Sequence, residues 1–131
     1  MKNLLILLLI YSIFGDCMAA TTKTSHYGPE CAGKLMANGA KFDPAALSVA
    51  SWDFPLGTKL KVSCTQKNAK EGGRSITTSV TTSVIVTVTD RGPAKRLYNK
   101  GRKLDLSDGA FKKLAPLEKG VIVVDYEVVT K

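Results

Sequence analysis

Val84-Ile85-Val86-Thr87-Val88-Thr89-Asp90-Arg91-Gly92-Pro93 is the stretch that decides the fold of this 131-residue chain. Its valines recur at every second position among other β-branched residues, so it predicts a β-strand with one buried face. The Asp-Arg-Gly-Pro that follows ends the strand abruptly, because proline lacks the N–H that a central ladder needs. Upstream the β-branched run reaches back to Ser75. Within it Thr77-Thr78-Ser79-Val80 repeats at once as Thr81-Thr82-Ser83-Val84. Four extra residues is an even number, so the duplication lengthens a hairpin without exchanging its two faces.

The neighbouring segments carry the same kind of signal. Gln66 to Gly73 is a charged, glycine-bearing turn, and Lys59 to Cys64 before it alternates polar and apolar as a strand does. Pro55-Leu56-Gly57-Thr58 is a turn and Leu47 to Ser51 a short strand. Tyr27 to Pro44 is rich in Gly, Pro and Asn, which predicts a structured loop, and residues 21–26 predict a polar leader into the first strand. Downstream, Lys103 to Leu106 is a strand. Ser107 then caps a helix that turns Ala110, Phe111, Leu114 and Ala115 to one side, and Pro116 stops it. Val121 to Val129 is the last strand. Short strands with one short helix predict a mainly β fold, a small barrel.

The N-terminus has the layout of a secretory signal. Lys2 supplies the positive charge and Leu4 to Phe14 is apolar, shorter than the roughly 20 residues that cross a bilayer. Ala19 and Ala20 offer small residues for cleavage. The expectation is a signal peptide over 1–20 and one domain over 21–131, secreted or periplasmic at the cell wall. Asp16 puts a charge before Cys17 where a lipidation site takes a small residue, so no stable membrane anchor is expected. The net charge of +8 suits anionic partners such as wall polymers, and export argues against nucleic acid. Outside the cytoplasm, Cys31 and Cys64 form an isolated pair that predicts a disulfide. His26 is the only histidine, so neither a metal site nor a cofactor is expected, and the protein is expected to be a monomer.

Seven stretches, taken in order, carry a family resemblance. They are Ser25-His26-Tyr27-Gly28, Met36-Ala37-Asn38-Gly39-Ala40-Lys41-Phe42-Asp43, Leu47-Ser48-Val49-Ala50-Ser51, Pro55 to Val62, Gly73-Arg74-Ser75, Val86 to Pro93, and Gly101 to Ser107. Together they resemble the double-psi β-barrel domain of the RlpA-like (rare lipoprotein A) family, bacterial lytic transglycosylases of the cell wall. The resemblance implies a six-stranded double-psi β-barrel with a groove that holds a glycan strand of peptidoglycan. The same architecture is similar to that of expansins, barwin-type proteins and one family of endoglucanases, so the fold alone does not fix the chemistry.

A lytic transglycosylase needs one acid, which protonates the glycosidic oxygen and then takes a proton from the C6 hydroxyl of the same sugar. Ala40 stands where the family has its catalytic Glu, and Ser51 where it has a groove histidine; the third groove acid is kept as Asp90. Asp90 is therefore the candidate catalytic residue, either facing the groove from the strand end or bonding the amides of its own turn. Tyr27 matches the family's groove aromatic. With Ala40, Ser51, Asp53 and Arg91 it completes the set expected at the substrate. Tyr27 and Trp52 either stack on sugar or pack in the wall. Arg91 and Lys95-Arg96 either meet carboxylates of wall peptides or stay solvated. His26 reads as a surface or strand-edge residue, Asp43 as a turn former and Asp105 as a brace for the helix start. Two functions are carried forward: cleavage of bound glycan by lytic transglycosylation, and non-catalytic, expansin-like wall binding or loosening. A barwin-like defence protein is the third.

Overall fold

The computed structural model describes residues 19–68 and 78–129. Residues 1–18 of the expected export segment, Cys17 among them, the Gly73-Arg74-Ser75 stretch and Thr77 fall outside the described residues.

Six strands form the fold: β1 (Ala20–Tyr27), β2 (Ser48–Ser51), β3 (Lys59–Asn68), β4 (Thr78–Asp90), β5 (Arg102–Ser107) and β6 (Ile122–Val128). They close into a barrel in the order β1-β5-β2-β4-β3-β6, and β6 pairs back onto β1. The β1–β5 and β2–β4 pairs are parallel. The remaining pairs are antiparallel. This is the mainly β, six-stranded double-psi barrel that the sequence predicts. Closure leaves no open sheet edge around the body of the barrel.

The period-2 pattern decides which side chains enter the core. Val84, Val86 and Val88 of β4, Leu60 and Val62 of β3, and Leu104 and Leu106 of β5 are all buried. Phe111 fills one end among them with no exposed surface. β3 and β4 stay in register from Lys59↔Thr87 to Asn68↔Thr78. Gln66, expected in a turn, therefore continues the strand. On the outer face of this arm Ser63 pairs with Ser83 and Thr65 with Thr81, each through hydroxyls 2.9 Å apart.

β1 is the clearest departure from expectation, because residues 21–26 form a barrel strand where a polar leader was predicted. Thr22 and Thr24 are buried despite their hydroxyls. The Thr22 hydroxyl bonds the Gly101 carbonyl at 3.0 Å, and that of Thr24 bonds the Ser25 carbonyl at 3.0 Å. A satisfied threonine costs little to bury, and its branched Cβ suits a strand.

Two short α-helices are present among the described residues where one was expected: α1 (Lys95–Asn99) and α2 (Asp108–Lys112). Ser107 caps α2 as predicted, accepting the Ala110 N–H at 3.3 Å and donating to the Ala46 carbonyl at 2.5 Å. Asp108, at the start of α2, approaches the Nδ1 of His26 at 2.7 Å. That ring is packed against Phe111, with 4.7 Å between centroids, so His26 belongs to the β1–α2 junction and not to the open surface. Gly28 permits the approach, since a Cβ there would collide with the Asp108 carboxylate.

The expected Cys31–Cys64 disulfide is absent, and both thiols are free. Cys64 is buried on β3 beside a hollow walled by Lys119 and Ile122. Cys31 lines a different cavity, with Tyr27 and Asp90. A bridge needs Cα atoms within about 7 Å and converging Cβ vectors, and a buried β3 side chain facing another hollow does not meet Cys31. Burial pushes the Cys64 thiol above its usual range.

Candidate active site

The groove is built from one row of residues that crosses four strands. In register, Ser25 of β1 faces Asp105 of β5, Asp105 faces Ala50 of β2, and Ala50 faces Asp90 of β4. Leu104 and Leu106 point into the core, so strand alternation turns Asp105 to the opposite face. Ala50 between the two acids leaves a hollow. Asp90, Asp105, Tyr27 and Trp52 share with it a cavity of about 250 Å³. Adjacent strands lie about 4.8 Å apart, so the backbones bearing the two acids are separated by about 10 Å across Ala50.

The two carboxylates have different surroundings. Asp105 is largely enclosed, and burial raises its pKa to about 6, against the opposing effect of the Ser25 hydroxyl that donates to it at 3.0 Å. His26 and Arg102 also favour its charged form, and Asp108 opposes it. Asp90 is anchored by backbone donors: its Oδ1 accepts from Ala37 N–H at 3.0 Å and from Arg91 N–H at 2.8 Å. The two uses foreseen for Asp90 therefore coincide. It braces its own turn and lines the cavity.

The other expected residues separate into wall and support. Tyr27 lines the cavity and stacks on buried Phe42 at 4.3 Å and 24°. Its hydroxyl lies beside those of Ser48 and Thr89, whose hydrogen bonding favours the charged form of the phenol. Burial foremost, helped by the Asp105 and Asp90 charges, pushes the phenol above its usual range. Arg91 is on the wall, but its Nη1 donates to the carbonyls of Ser51 at 2.8 Å and Phe54 at 2.6 Å, clamping the segment after β2.

Ser51 is fully buried, and its hydroxyl accepts the Asp53 N–H at 3.2 Å. Asp53 is exposed outside the cavity wall and accepts the Tyr98 hydroxyl. Ala40 is exposed on a loop fastened to the end of β4 by Asn38 N–H to the Thr89 carbonyl at 3.2 Å. The site thus unites Tyr27, Asp90 and Arg91, whereas Ala40, Ser51 and Asp53 lie outside the cavity. It also adds Asp105, which sequence reasoning had assigned to the helix start. The alternation of Leu104 and Leu106 was the available signal for it.

Comparison with known proteins agrees with this geometry. The sequence profile of the lytic transglycolase family matches residues 19–126. A probable endolytic peptidoglycan transglycosylase RlpA of Nostoc sp. is 36% identical over 101 residues, 77% of this chain and 23% of the relative. Its namesake in Aquifex aeolicus is 38% identical over 104 residues, 79% of this chain and 38% of the relative. The chain thus spans well under half the length of these relatives.

Among solved structures, the Streptomyces papain inhibitor superposes with a TM-score of 0.55 at 26% identity, covering 87% of this chain and 96% of that one. A point mutant of Clavibacter michiganensis expansin, in complex with cellohexaose, superposes with a TM-score of 0.54 at 20% identity, covering 86% and 51%. The barrel, the Asp-Arg-Gly-Pro turn at its groove and the profile match over nearly the whole described chain lead to one conclusion: the chain belongs to the lytic transglycolase family, as an RlpA-like double-psi β-barrel.

Proposed function

We propose that the groove binds glycan strands of peptidoglycan and cleaves them by lytic transglycosylation, with Asp105 as the group that gives and retakes the proton. The observation that carries this reading is the row Asp105–Ala50–Asp90, with one acid raised to about 6 and a hollow between the two. An acid with that pKa is partly protonated near neutral pH, as general acid catalysis requires. Protonated Asp105 would give its proton to the glycosidic oxygen as the bond to C1 breaks. The resulting carboxylate would accept the C6 hydroxyl proton while that oxygen bonds to C1, which closes a 1,6-anhydro ring and restores Asp105. Asp90, fixed by two backbone donors, would stabilise the positive charge developing at C1. This assigns the proton to Asp105 and leaves Asp90 an electrostatic part. Residues 1–20 would act as the export signal that delivers domain 21–131 to the wall.

Non-catalytic, expansin-like binding is favoured by one observation: Ala40 brings no acid to its loop. The two readings separate when the protein is incubated with peptide-free glycan strands and the products are examined by mass spectrometry. New 1,6-anhydro ends are expected. Binding to insoluble wall without such ends would replace the enzymatic reading with the binding one.

A further inference from the structure

We infer that Trp52, Lys95, Tyr98 and Lys103 form a subsite for a carboxylate carried by the glycan, and that it selects acidic over neutral β-1,4-linked strands. The inference rests on the glycan-binding reading above.

Trp52 is part of the cavity wall shared by Asp90 and Asp105, and its indole is held by donation from Nε1 to the Pro93 carbonyl at 2.7 Å. From there a stack of rings and ammonium groups runs outward. Lys95 Nζ lies 4.1 Å from the Trp52 ring centroid and 5.4 Å from that of Tyr98, and Lys103 Nζ lies 3.7 Å from the Tyr98 centroid. The short helix α1 supplies Lys95 and Tyr98 at i and i+3, which brings them to one side. Lys103 also donates to the Tyr98 carbonyl at 3.4 Å.

Neither ammonium has a carboxylate partner among the described residues. The acid beside the stack, Asp53, accepts the Tyr98 hydroxyl instead. Among the described residues, the one ion pair is His26–Asp108, on another part of the barrel. An aromatic face orients a cation without neutralising it, and each ammonium carries three donors. Two ordered positive groups are thus left free to receive an anion. They stand next to a groove containing two carboxylates, which would otherwise repel an acidic strand. A neutral glycan could stack on Trp52 but would leave the two ammonium groups without a partner.

Trp52 is the only tryptophan, so its emission reports occupancy directly. The full mature protein is titrated with peptide-free peptidoglycan strands, with the same strands after carboxyl reduction to alcohols, and with peptide-bearing strands. At least tenfold tighter binding of a carboxylated strand over the reduced one is expected, with the preference weakening as salt rises. K95Q/K103Q should remove the preference by weakening the carboxylated strands alone. A preference for peptide-free strands would locate the carboxylate on the sugar, and a preference for peptide-bearing strands would locate it on the stem peptide. Equal affinity for all three, or a preference that survives in K95Q/K103Q, overturns the inference while glycan binding stands. Failure of every strand to bind overturns both.

Discussion

Asp105 illustrates how an ordinary side chain acquires an unusual acidity from position alone. Its row on β5 turns it away from the core, but the groove still strips much of its water, which raises its pKa to about 6. An unfolded aspartate titrates near 3.9. The folded state therefore binds the proton more tightly, and the stability this group contributes is complete below about pH 4 and lost as pH rises through about 6. Asp105→Asn keeps an acceptor for Ser25 and removes the charge. It should raise stability at pH 8 by on the order of 2 kcal/mol and change little at pH 4, as thermal unfolding at the two pH values would measure. Asp90 was legible as a candidate because its turn forms a recognisable sequence unit, and the fold places it on the cavity wall. Asp105 was not, because a helix cap follows two residues later and offered a local explanation. Ser51 failed in the opposite sense: it matches a family groove position, yet its small hydroxyl is drawn inward to hold Asp53 N–H.

At the scale of elements, strands with strict alternation were legible and those with polar interiors were not. β3 from Leu60 to Cys64 and β4 from Val84 to Val88 follow their period-2 pattern, whereas β1 buries threonines whose hydroxyls bond backbone carbonyls, which hydrophobic periodicity cannot register. Helix α1 escaped notice because Lys95-Arg96 looks like solvated loop, and only the stacking against Trp52 and Tyr98 gives it a role. Helix α2 was legible through its cap and buried Ala110 and Phe111, but it ends at Lys112 and not at Pro116, so Leu114 and Ala115 are buried beyond its last turn. Ser107 is fully buried and serves three partners: the N–H groups of Ala110 and Ser48, and the Ala46 carbonyl. Ser107→Ala should cost about 1–3 kcal/mol, since buried groups lose their partner along with the cap. Urea denaturation would register it as a lower midpoint with an unchanged slope.

In the whole molecule, the chain closes six strands into a barrel and collects the groove on its outer face, where β2 lies between the two acid-bearing strands. The resemblance in sequence anticipated that barrel because seven stretches occur in order, each too short to be diagnostic alone. It did not anticipate the free Cys31 and Cys64, whose side chains belong to separate hollows. The proposed cleavage requires Asp105 as its acid. The most direct measurement is the rate at which 1,6-anhydro ends appear on peptide-free strands as a function of pH, for the wild type and for Asp105→Asn. Cleavage through Asp105 entails a wild-type rate that falls as pH rises through about 6 and no product from Asp105→Asn while glycan binding persists. Undiminished product from Asp105→Asn, or a wild-type rate unchanged across that range, would contradict it.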